Sequence, residues 1–122
     1  MNLHRIEDFK GGWFIGDFEP SLFKNSVIEA SVKTHKKNED WPVHYHKKAT
    51  EFNVVISGSM IIQGKELSAG DVFVLKPYEI ADPQFLEDTV IVCIKIPAAK
   101  NDKFEVKQWA LHYIHIEVIF GV

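Results

Sequence analysis

Between Trp41 and Gly58 the sequence reads WPVHYHKKATEFNVVISG, and the trio His44, His46 and Glu51 at its centre limits the folds that can hold it. Side chains alternate faces along an extended strand, so His44 and His46 project from one face and Tyr45 from the other. The polar KKAT is a short bend. EFNVVIS then alternates as a second strand in which Glu51, Asn53 and Val55 share a face, and Gly58 ends it. A histidine pair alone also fits a solvated strand edge. If both strands belong to one barrel wall, however, two neutral imidazoles and one carboxylate surround an open position, a donor set that suits a divalent transition metal.

The same alternation recurs downstream. SMIIQ, KELSAGD and VFVLKP are short extended runs, with a tight turn at Gln63-Gly64-Lys65, and DTVIVCIKIP is a β-branched apolar run that predicts a central strand ending at Pro97. Upstream, SVIEASVKT sets Ile28, Ala30 and Val32 against Glu29, Ser31 and Lys33, the pattern of a half-buried strand. GGWFIGDFEPS reads as turns flanking a short apolar strand in which Trp13 is a packing residue. Met1 to Asp8 fit a short strand or an arm, and HKKNEDWP is a turn-rich link. No long segment keeps a helical period. The spacing therefore predicts an all-β antiparallel sandwich or barrel with at most a short helix.

The sequence H-x-H, four residues, Glu, six residues, Gly resembles the first motif of the cupin family, G-x5-H-x-H-x3/4-E-x6-G. His44, His46, Glu51 and Gly58 match it, and Asn38 replaces the opening Gly; asparagine is the next residue to tolerate a left-handed turn. The resemblance covers roughly residues 27–97. It implies one cupin domain over residues 1–122, a small antiparallel jelly-roll β-barrel, with 104–122 as an extra strand or a dimer arm. It does not imply one activity, since cupins include metal-dependent dioxygenases, sugar isomerases and epimerases, decarboxylases and pure binding proteins.

A second cupin motif resembles G-x5-P-x-G-x2-H-x3-N, and here it is degenerate. Gly70 leads to Pro77 one residue late, with Glu79 where Gly is expected, Asp82 where the ligand His is expected and Leu86 where Asn is expected. If Asp82 faces the cavity, the site has two imidazoles and two carboxylates and favours harder divalent ions. If it is a turn aspartate before Pro83, only His44, His46 and Glu51 remain. Gln84, on the same strand parity, is a reserve polar ligand. The implied cofactor is a divalent transition metal, Mn, Fe, Zn or Ni.

The chain has 122 residues, 46% hydrophobic and 25% charged, which suits one soluble globular domain. A net charge of -3 removes the attraction nucleic-acid binders rely on, and the pairs Lys36-Lys37 and Lys47-Lys48 are too small to restore it. The plainer reading of those pairs is solvated loop charge; the other is that they ring a barrel mouth and attract an anionic ligand. Cys93, the one cysteine, lies within TVIVCIKI and reads as core. MNLHRIEDF has no apolar secretory segment and no apolar run is long enough to span a bilayer, so a cytoplasmic protein with no membrane partner is expected.

Three activities fit these residues. One is a metalloenzyme whose ion polarises an oxygen of a sugar or small organic acid, with Glu51 or Asp82 as proton acceptor. A second is a metal-free module binding a small molecule, and a third an isomerase with a histidine base. In the tail VKQWALHYIHIEVIFGV, His112 and His115 would diverge on a strand, so no metal role is expected of them. The apolar residues of that tail predict a homodimer.

Overall fold

The computed structural model describes residues 1–107 of the chain. Of the tail from residue 104, only 104–107 are described; the expectations that rest on its remainder, including Trp109, His112, His115 and the dimer arm, lie outside the described residues.

Among the described residues ten strands follow in order: β1 (Trp13–Ile15), β2 (Glu29–His35), β3 (His44–Tyr45), β4 (Thr50–Ser57), β5 (Ser59–Ile62), β6 (Lys65–Ser68), β7 (Val72–Leu75), β8 (Gln84–Phe85), β9 (Thr89–Ile96) and β10 (Phe104–Glu105). Every pairing is antiparallel. Among the described residues there is no α-helix, and Met1 to Asp8, expected as a strand or arm, ends instead in a 3-10 turn at Ile6–Asp8.

The largest sheet has the order β1-β2-β9-β4-β7; a second is β6-β5-β8, and β3 pairs with β10 in a third. An isolated bridge from His44 to Ala81 links β3 to the segment leading into β8. The β-branched run read as a central strand is β9, hydrogen-bonded to β2 on one side and β4 on the other. Its inward residues Thr89, Ile91 and Cys93 are buried, while Val90, Val92 and Ile94 between them are half-buried.

Strand β4 passes into β5 through Gly58, whose φ of 89° lies in the left-handed region. A Cβ there would run into the Asp88 carbonyl, so glycine is required on two counts. This corner carries the chain from the large sheet to the three-stranded one. Val55 from β4, Leu75 from β7 and Ile91 from β9 then pack with Met60, Ile62 and Phe85 of the second sheet, placing the core between the layers. Burying one such side chain contributes about 1.5–3 kcal/mol. Gln63 and Gly64, both at positive φ, form the two-residue turn of the β5–β6 hairpin.

Candidate metal centre

His44 opens β3, His46 directly follows that strand, and Glu51 is the second residue of β4. The two histidines are 6% exposed and Glu51 9%. One ligand atom from each lies within 4.8 Å of the other two. Tyr45 points to the opposite side, stacked on Tyr78 and Phe104, as strand parity requires.

Both imidazoles are anchored through the same nitrogen. Nδ1 of His44 donates to the Pro42 carbonyl at 2.8 Å, and Nδ1 of His46 donates to the Asp102 carbonyl at 2.6 Å. A ring nitrogen facing a carbonyl must carry a proton, so in the neutral ring the lone pair sits on Nε2. Carbonyl-held Nδ1–H groups are the supports that metal-ligating histidines use. Nε2 of His46 lies 3.0 Å from Oε1 of Glu51. Two lone pairs at that distance repel, and the contact demands a positive centre between the groups, either a proton or a shared metal cation.

The electrostatics favour a neutral His44 and an ionised Glu51. Burial drives the His44 pKa down, against the opposing effect of its bond to Pro42, so the neutral ring is preferred. Burial pushes the Glu51 carboxyl up, but the contact with His46 and nearby positive charge, that of Lys95 included, outweigh it and hold the group below its ordinary value.

Asp102, which sequence reasoning did not single out, fixes the bend between the second histidine and the glutamate. Its carboxylate accepts the backbone N–H groups of Lys47 (3.0 Å), Lys48 (3.1 Å) and Ala49 (2.9 Å). Its own carbonyl is the His46 acceptor, so one residue sets both the path to Glu51 and the tautomer of His46. The signal available was an Asp in the turn-rich AAKNDKF, which cannot be told from a solvated loop residue without knowing what it meets.

Asp82 does not join the cluster. Ala81 is bridged to His44 and faces the cavity, so the next side chain points outward, where Asp82 Oδ1 accepts the Gln63 N–H at 2.7 Å. The turn-aspartate alternative is the one the structure displays, and Gln84, on the same parity, is exposed.

A cavity of about 150 Å³ lies over the three ligands. Trp13, expected as a packing residue, lines it, with Lys33 Nζ 5.1 Å and Lys95 Nζ 4.7 Å from its ring centre. Strand β2 is half-buried as expected, but Lys33 and His35 on its polar side line the lumen, because the barrel interior here is a polar site rather than a closed core. Lys36-Lys37 and Lys47-Lys48 do not line it; the cavity's lysines are Lys33, Lys95 and Lys103. Cys93 is buried as expected, and burial pushes its thiol pKa up, away from reactivity.

No known protein family and no curated protein matches the sequence. Among solved structures, the chain is similar to an uncharacterised conserved protein with a double-stranded β-helix domain from Klebsiella pneumoniae, at 16% identity and a TM-score of 0.62, over 87% of this chain and 92% of that one. It is similar to KdgF from a Halomonas species at 20% identity and 0.56, over 63% and 74% of the two chains. A cupin protein from Bacteroides fragilis aligns at 24% identity and 0.51, over 70% and 76%. Asn38, in the place of the cupin motif's opening glycine, has a φ of 61°, the left-handed conformation that position was expected to need. With its antiparallel layers closed over the histidine cavity, the chain has the cupin fold.

Proposed function

We propose that this protein binds a divalent transition metal, Mn, Fe, Zn or Ni, through His44, His46 and Glu51, and holds a small molecule, a sugar or small organic acid, in the cavity beside it. The observation that carries this reading is the paired Nδ1 anchoring. Two buried imidazoles are locked with Nε2 as the lone-pair nitrogen, and one Nε2 faces a carboxylate oxygen at 3.0 Å, a contact a cation satisfies. A bound ion would supply Lewis acidity toward a carbonyl or enediol oxygen. The chain's own residues would orient that oxygen in the cavity, and in the metal-free alternative Glu51 is the carboxylate placed to accept a proton.

Metal analysis of the purified protein, followed by stripping and titration with Mn(II) and Zn(II), tests the proposal. About one equivalent per chain is expected, lost in His46→Ala and retained in Asp82→Ala, whose carboxylate serves the hairpin turn. Absence of uptake by the parent protein would leave a metal-free binding site or a histidine base as the working alternative.

A further inference from the structure

The mouth of the cavity carries a row of cations and indoles. Lys95 lies over Trp13, Lys33 lies between Trp13 and Trp41 at 5.1 and 5.2 Å, and Lys103 lies 4.7 Å over Trp41. Lys95 is paired with Glu29 at 3.5 Å. Among the described residues, neither Lys33 nor Lys103 has a carboxylate within salt-bridge distance, although Lys33 is half-buried. Burial, and then the Lys103 charge, depress the Lys33 pKa, as expected for an ammonium held partly out of water beside a second cation. Indole faces offset part of that cost.

A second observation lies deeper in the same cavity. Asn53 is 5% exposed, lines the cavity, and its Nδ2 has no hydrogen-bond partner. An unsatisfied buried donor costs free energy, and a ligand acceptor would recover it. Both features call for the same thing: oxygen acceptors carrying negative charge. The size points the same way, since a volume of about 150 Å³ matches a benzene-sized guest, half the non-hydrogen atoms of a hexose.

We propose that the cavity selects a compact carboxylate anion, its charge met by Lys33 and Lys103 at the mouth and an oxygen met by the Asn53 amide within. This rests on the reading of the cavity as a small-molecule site, and it favours the organic acid over the sugar. The cationic mouth acts whether or not an ion is present at the histidines, so the two readings separate experimentally.

Calorimetric titration with malonate, and with malonamide as its uncharged analogue of equal size, tests the selection on both metal-free and Mn(II)-loaded protein. Malonate is expected to bind both forms, at least about tenfold more tightly than malonamide, the scale of one lost charged hydrogen bond. Lys33→Met, Lys103→Met and Asn53→Leu should each weaken malonate about tenfold while metal stoichiometry stays unchanged. Lys103 is exposed, so its variant tests the proposal even if a buried substitution unfolds the chain. Equal affinity for malonate and malonamide, or malonate binding that needs Mn(II) and ignores the lysine substitutions, overturns it. Failure of metal uptake with malonate binding intact would instead overturn only the metal reading.

Discussion

His46 is held at Nδ1 by the Asp102 carbonyl and faces Glu51 through Nε2, and the Asp102 carboxylate also holds the bend that separates His46 from Glu51. Burial raises the Asp102 carboxyl, but the backbone N–H bonds from Ala49, Lys47 and Lys48 outweigh it and leave the folded pKa below its ordinary value. Asp102→Ala should therefore cost about 2–4 kcal/mol, because several N–H groups lose an ionised acceptor at once. A depressed folded pKa stabilises the protein fully above the unfolded value of about 3.9, and that contribution is lost as pH falls through the folded value. Urea midpoints measured from pH 6 down to pH 3 should fall more steeply for the parent than for Asp102→Asn. Identical slopes would show that the aspartate does not act through its charge.

Gly58 does comparable work between elements, turning β4 out of the large sheet and into β5. Gly58→Ala combines a left-handed φ with a collision at the Asp88 carbonyl, and a loss of about 2–4 kcal/mol in urea unfolding is expected. An unchanged midpoint would mean that the corner relaxes freely. The strands and this corner were legible because period-2 alternation and motif spacing are local signals: β4, β5, β7 and β9 fall where the alternation placed them. The histidine pair and Glu51 were legible for the same reason, being a few residues apart. Lys33, Lys95 and Lys103 were not, since they come from β2, β9 and the segment before β10, and only the antiparallel registers bring them to one mouth. Asp82 illustrates the converse. Its spacing suited a ligand, but the direction of a side chain at a strand's end depends on the bridge between His44 and Ala81, which no local pattern encodes.

On the scale of the whole molecule, the outer face of the large sheet exposes apolar side chains. Glu51, Asn53 and Val55 point inward from β4, so Phe52 and Ile56 point out, and beside them β7 presents Val72 and Val74. Phe52 is 42% exposed and Val72 66%, and Ile56, Val74 and Ile96 are exposed as well. A contiguous apolar sheet face of this kind marks an interaction surface, and covering each large side chain is worth about 1.5–3 kcal/mol. A second copy of the chain is the expected occupant, because a two-fold pairing lets one apolar face cover its own equivalent without any other partner. Sedimentation at micromolar concentration should give a dimer, and Val74→Lys, which places a charge at the centre of that face without touching the cavity, should shift it to monomer. A parent chain that sediments as a monomer would refute the dimer outright. A dimer indifferent to Val74→Lys would move the interface elsewhere, and repeating the run on a chain ending at Lys107 would then show whether residues 108–122 carry it.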